Sequence, residues 1–170
     1  MSDFKEIKAN AIKNNPFEMI GTDWMLISAK KDNKVNTMTA SWGGLGVIWN
    51  KNVVTVYIRP QRYTKEFVDN SDTFSITVLG EDYRKELSYL GTVSGRNEDK
   101  IKKAGLTVVE DDNTPYFNEG NIIFLCRKLY AQKLDEKAFV DKNLISKNYL
   151  KEDFHIMYIG EIVKVLVKED

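Results

Sequence analysis

Six residues, Thr73 to Val78, constrain this chain more than any other stretch. Phe74, Ile76 and Val78 alternate with Thr73, Ser75 and Thr77, and only an extended backbone puts every second side chain on one face. A strand with one face turned to a core is predicted. Val53 to Ile58 and Ile122 to Cys126 are apolar on both faces, as expected of strands covered on both sides. Ile156 to Val167 is rich in β-branched residues and carries Gly160, where a bulge or sharp bend is expected, so it reads as one long, bent strand. Trp24 to Ala29 and Thr37 to Trp42 supply earlier strands, and Asn50-Lys51-Asn52 has the asparagines of a hairpin turn. The pattern predicts a mainly β domain.

Short helices fill the gaps. One is expected from about Thr64 to Val68, with the Thr64 hydroxyl as its N-cap. Asp82 to Leu90 places Tyr83, Leu87 and Leu90 on one helical face, with Gly91 where a left-handed C-terminal residue is wanted. Asn97 is expected to cap a third helix, with Glu98 and Asp99 in its first turn, Lys102 and Lys103 in its last and Gly105 behind it. Residues 135–153 are charged and poorly periodic and read as an excursion from the sheet.

Counting removes several chemistries. The 170 residues suit one domain over 1–170, and the 25 basic residues cancel the 25 acidic ones, so no global field draws the chain to nucleic acid or an anionic membrane. Recognition of a phosphate must be local. One histidine and one cysteine cannot assemble a nitrogen-and-sulfur zinc site, and no metal site is expected. Gly91-Thr92-Val93-Ser94-Gly95 has the wrong spacing for a nucleophile elbow, and neither a P-loop nor a dinucleotide fingerprint occurs. No apolar run reaches the roughly 18 residues needed to span a bilayer. With a lone Cys126 and no secretory-type start, the cytoplasm is the expected location.

Three segments concentrate what chemistry remains. Asn36 to Gly44 sets small and hydroxylated residues, Thr39, Ala40, Ser41 and Trp42 among them, before a glycine pair that lets another molecule approach the backbone. Arg59-Pro60-Gln61-Arg62-Tyr63-Thr64 brings two guanidinium groups and hydroxyls to one strand-to-helix turn, the makings of a monophosphate clamp. Ser94-Gly95-Arg96-Asn97-Glu98-Asp99-Lys100 makes a tight turn and adds Arg96 and Lys100 as anion partners.

Taken in order, Asn36-x-Met38-Thr39-Ala40-Ser41-Trp42, Arg59-Pro60-x-Arg62-Tyr63-Thr64, Ser94-Gly95 with Asp99-Lys100, and His155-x-x-Tyr158-Ile159-Gly160-Glu161 resemble the flavin reductase-like, FMN-binding split-barrel family. The resemblance covers most of the chain. It implies a Greek-key-like antiparallel split barrel, a homodimer, FMN as cofactor, and electron transfer from NAD(P)H or from a redox protein. On the same basis Thr39, Ala40, Ser41 and Trp42 would line the isoalloxazine and ribityl chain. Arg59, Arg62, Tyr63 and Thr64 would hold the phosphate, with Asn36, Ser94, Gly95 and Lys100 around them.

Each residue also has a plainer reading. Arginines at a strand end and a threonine before a helix make a solvated turn and a cap. Trp42 and Trp49 would pack inward. His155 is either a proton donor or a structural residue, Cys126 a buried inert thiol, and Lys102-Lys103 a solvated helix end. An FMN-retaining electron carrier and a non-redox β-barrel binding module are the alternatives to an NAD(P)H-dependent reductase.

Overall fold

A computed structural model describes residues 3–169. The strands are β1 Phe4–Ile7, β2 Met25–Lys31, β3 Lys34–Ala40, β4 Gly43–Ile48, β5 Lys51–Ile58, β6 Thr73–Val78, β7 Val108–Asp111, β8 Thr114–Phe117, β9 Ile122–Lys133 and β10 Ile156–Lys168. Between them lie α1 Pro16–Gly21, α2 Tyr63–Asp69, α3 Arg84–Thr92, α4 Lys100–Lys103 and α5 Asn143–Asn148, with three short 3₁₀ turns. An eight-stranded sheet runs β3-β2-β6-β9-β10-β5-β4, with β1 paired to β10. Its pairings are all antiparallel, and β7 and β8 form a separate hairpin. The fold is mainly β with short helices, as the alternation predicts.

Turn chemistry sets the hairpins. Asp32-Asn33, Trp49-Asn50 and Asp112-Asn113 all have positive φ at both residues and sit between strand ends paired directly across them. Such two-residue turns match the right-handed twist of the strands they join, and Asn and Asp tolerate that backbone best. The β4–β5 turn is therefore Trp49-Asn50 rather than Asn50-Lys51-Asn52, because Lys51 and Asn52 already belong to the ladder.

Period-two packing builds the core. Met25, Ile27 and Ala29 of β2 point into one apolar cluster with Phe74, Ile76 and Val78, while Leu26 points the other way onto Leu87 and Leu90 of α3 and onto Phe117. The hydroxyl face of β6 is covered too: Ser75 is fully buried and its hydroxyl donates to the Pro115 carbonyl of β8. Thr73–Val78 is thus enclosed on both faces. Phe74, Cys126 and Tyr158 are fully buried in the main cluster, and burial pushes the Cys126 thiol far above its ordinary range. That thiol is buried, as expected.

Helix ends depart from the sequence expectations. Thr64 lies inside α2, whose N-cap position is Arg62, and its hydroxyl accepts from Asn36 Nδ2 at 2.9 Å. Asp99, not Asn97, caps α4, accepting from the Lys102 backbone N–H. Gly91 is helical, with α3 running on to Thr92. A Cβ on Gly91 would stand 3.2 Å from Thr39 Cβ, so this glycine serves the close approach of α3 to β3. Gly105 alone among the described glycines takes the left-handed backbone, at φ +69°. Trp42 and Trp49 are not core residues, being 48% and 53% exposed.

The most consequential feature of the fold is an opening. β3 and β4 are the two end strands of the sheet path, yet only Ser41 and Trp42 separate them in sequence. Two residues of chain reach about 7 Å. The sheet must therefore curl until its edges meet at Ser41-Trp42, and there the curl stays unclosed.

Candidate functional site

That split collects three adjoining cavities. A pocket of about 390 Å³ is lined by Asn36, Met38, Arg59, Gln61, Arg62, Tyr63, Thr64, Thr92, Val93, Ser94 and Lys100. It shares Met38, Arg59 and Arg62 with a pocket of about 220 Å³ that also includes Thr39, Ala40, Ser41 and Trp42. That pocket in turn shares Ser41, Trp42, Tyr57 and His155 with a cavity of about 610 Å³. Together they form one trough, polar and cationic at one end and aromatic at the other. No carboxylate lines any of the three.

The cationic end is under electrostatic tension. Arg62 donates to the Gly91 carbonyl at 2.8 Å, and Lys100, only 3% exposed, donates to the carbonyls of Leu90 and Val93 at 2.8 and 2.9 Å. Neither has an anionic partner among the described ion pairs. Burial, helped by the Arg59 charge, lowers Arg62 below its ordinary range. Burial and Arg62 together bring Lys100 down to about 8. An anion seated among them would relieve both burdens.

Arg59 is held differently. It pairs with Asp153 at 2.9 Å, donates to the Asn148 carbonyl at 3.0 Å and lies over the Tyr149 ring at 5.2 Å. Gln61 donates to the same Asp153 oxygen, and that bond together with Arg59 keeps the Asp153 carboxyl below its ordinary range. The excursion of residues 135–153 is thereby latched onto the clamp, a contact that its irregular sequence does not announce.

The other expected site residues divide. Ala40, Ser41 and Trp42 line the trough, and Gly44 has open space where a Cβ would be. Gly43, by contrast, is approached by the sheet itself, since a Cβ there would lie 2.7 Å from the Thr55 carbonyl oxygen and 2.9 Å from Met25 Cε. The Thr39 hydroxyl is spent on the Leu87 carbonyl. Asn36 and Thr64 bind each other and brace the pocket wall. Gly95 is needed because a Cβ would fall 2.2 Å from Asn36 Oδ1. Ser94 lines the pocket, but Arg96 turns away to Glu66 and lies over the Tyr63 ring at 4.6 Å. Tyr149 and Leu134, which also wall the larger cavity, were not legible as site residues in the sequence.

The family model for the flavin reductase like domain matches residues 18–170. This chain belongs to the flavin reductase-like family. An uncharacterized protein of Archaeoglobus fulgidus is 32% identical over 134 residues, which is 78% of this chain and 65% of that protein, so the chain spans slightly under two-thirds of this relative's length. Among solved structures, the FMN-binding domain of a flavin reductases-like enzyme from Shewanella baltica has a TM-score of 0.72 at 16% identity over 98% of this chain and 78% of that one. Flavoredoxin of Desulfovibrio vulgaris has a TM-score of 0.68 at 24% identity over 97% and 78%. At these identities the structures establish the split-barrel fold. No described helix is long and apolar enough to cross a membrane.

Proposed function

We propose that this protein seats FMN along the split and acts as an NAD(P)H-dependent flavin oxidoreductase. The observation that carries the reading is the carboxylate-free trough, with Lys100 buried and Arg62 half-buried, both without an anionic partner among the described ion pairs, at one end and Trp42 and Tyr57 at the other. Those residues fit the group: the cationic end needs an anion, and the aromatic end suits a flat ring. Arg59, Arg62 and Lys100 would hold the phosphate, with Tyr63, Thr92 and Ser94 as neutral partners. Ala40, Ser41, Trp42 and His155 would border the ring.

When bound, the flavin supplies hydride and single-electron chemistry that no side chain can. The protein's share is position and field. The unpaired edge of β3 offers backbone groups beside Ala40, Tyr57 and Trp42 exclude water from the ring's side of the trough, and no acid or base is demanded of the chain. FMN-loaded, desalted protein is expected to be yellow and to oxidise NADH or NADPH in the steady state. A colourless protein with no FMN uptake would defeat the reading.

An FMN-retaining electron carrier is the second reading. The 13 residues lining the 610 Å³ cavity include no charged side chain, so it offers no cation to the phosphates of a dinucleotide. Flavin retention without NAD(P)H oxidation would select it. Exposed Val47, Ile48 and Trp49 on the β4–β5 hairpin extend the open β4 edge and suit association with a second copy, which sedimentation equilibrium would detect.

Lys100 makes FMN affinity depend on pH. Protonated below about 8, it attracts a phosphate that is itself largely a dianion above about pH 6. Affinity is therefore expected to hold from pH 6.5 to 7.5 and to fall as the pH rises through 8, with Lys100→Met flattening the profile. A flat wild-type profile by flavin fluorescence titration would remove Lys100 from the site. The effect on stability has the opposite sign. An unfolded chain keeps this proton up to about 10.5, so the penalty for burying it is full below about 8 and fades as the pH rises from there.

A further inference from the structure

One residue at the junction of trough and cavity carries a polar group that bordering a ring does not by itself use. His155, the only histidine of the chain, is buried immediately before β10 and lines both the 220 and the 610 Å³ cavities. Its ring lies 5.2 Å from that of Trp42 and 6.5 Å from the ring of Tyr57. Its Nδ1 is 2.7 Å from the Tyr149 hydroxyl.

The direction of that bond follows from the acid–base strengths of the two groups. A phenol is a stronger proton donor than an imidazole N–H, and a bare imidazole nitrogen is a stronger acceptor than a phenol oxygen, so the Tyr149 hydroxyl donates to Nδ1 across the 2.7 Å contact. Nδ1 is then the acceptor, and a neutral imidazole must carry its proton on Nε2. Tyr149 is the ring's only hydrogen-bond partner among the described residues, which leaves the Nε2–H to the cavities.

The surroundings keep the ring neutral. Burial is the main cause, Arg59 and Arg62 from the β5–α2 turn act in the same direction, and Asp153 opposes them, bringing His155 down to about 4. Tyr57 and Tyr149 also face it, and burial raises the Tyr149 hydroxyl above its ordinary range. A fixed neutral donor can bind an acceptor atom at constant strength across ordinary pH, without adding a fourth cation to a trough that already holds three.

We infer that Tyr149 is a positioning residue that locks His155 as the Nε2–H tautomer, presenting a neutral hydrogen-bond donor to an acceptor atom of the flavin ring at the mouth of the apolar cavity. The identity of that acceptor rests on the FMN reading; the tautomer does not. The excursion thereby acquires a role, since it carries Tyr149 and is held to the clamp through Asp153.

One histidine means one set of ring signals. Two-bond ¹H–¹⁵N correlation spectra of the uniformly labelled full chain, between about pH 5 and 8, should show the Nε2-protonated pattern unchanged throughout. Tyr149→Phe, which keeps the ring and removes the hydroxyl, should replace it with a tautomer mixture that titrates at higher pH, and FMN should shift the wild-type Nε2 signal. An Nδ1-protonated wild type, or a Tyr149→Phe pattern identical to wild type, overturns the lock, and the wild-type spectrum decides this even if the variant fails to fold. An Nε2 signal indifferent to FMN that is demonstrably bound overturns delivery to the ring. Absence of FMN binding by fluorescence overturns the flavin reading and leaves the tautomer to be judged by the spectra of the flavin-free protein.

Discussion

Arg62→Ala is expected to weaken FMN binding roughly 10- to 150-fold while leaving the flavin-free protein as stable as wild type or more so. The first half follows from the loss of a charged hydrogen bond to phosphate, worth about 1.5–3 kcal/mol, at about 1.4 kcal/mol per factor of ten. The second half follows from what Arg62 does without a ligand. It is half-buried, has no carboxylate partner among the described ion pairs, and its charged form is disfavoured by that burial and by Arg59. Its one hydrogen bond, to the Gly91 carbonyl, is the return for that burden. Removing an uncompensated, half-buried cation relieves strain in the fold that only an anion otherwise relieves. Arg59→Ala should separate the two effects. It also weakens FMN, but it frees Asp153 and the Asn148 carbonyl, so it loosens the excursion and lowers stability. Flavin fluorescence titration together with thermal melts of both flavin-free variants distinguishes the two. Unchanged FMN affinity in Arg62→Ala, or a clear fall in its melting temperature, would show that this cation is structural.

The contrast between these arginines shows where the sequence was readable. Alternation identified β6, apolar runs covered on both faces marked β5 and the β9 core at Ile122–Cys126, and β-branched residues around Gly160 marked β10. β4 escaped because Gly43, Gly44 and Gly46 carry no such pattern. It is a strand through its ladder with β5, and Gly43 is tolerated because the Thr55 carbonyl occupies the place of a side chain. Capping failed at Thr64 because a buried tertiary partner, Asn36, binds the hydroxyl in place of an orphan N–H. It failed at Asn97 because α4 begins only at Lys100, directly after Asp99. That Arg59 and Arg62 share one strand-to-helix turn was legible from their spacing, and the fold brings Lys100 to the same pocket. The Asp153 latch and the Tyr149–His155 pair were not legible, since they join an irregular segment to a strand end through single polar contacts that leave no periodic trace.

Gly160→Ala tests whether the bend in β10 is as constrained as its neighbours imply. β10 pairs with β9 along nearly its whole length, but on its other side it pairs with β5 from Ile156 to Glu161 and with β1 from Val165 to Lys168. Register shifts against β9 fall between Ile159 and Gly160 and between Ile162 and Lys164, the second of them where β10 changes partners. A bend there turns one strand toward two neighbours, and the inside of the bend faces the core. A Cβ at Gly160 would lie 2.6 Å from Phe74 Cζ, 2.7 Å from Phe74 Cε1 and 3.0 Å from Cys126 Cβ, and Phe74 and Cys126 are fully buried. Neither can withdraw into solvent. Overpacking of this kind costs about 1–3 kcal/mol, so the melting temperature should fall by roughly 2–12 °C, at about 2–4 °C per kcal/mol for a chain of this size. The clash also predicts its own partial rescue. Phe74→Leu is destabilising alone, but combined with Gly160→Ala it should cost less than the two single changes together, because the removed ring edge is the atom that the new methyl meets. Strict additivity in that cycle, or a Gly160→Ala protein that melts with the wild type, would mean that the strand bends for a reason other than the packing of Phe74 against it.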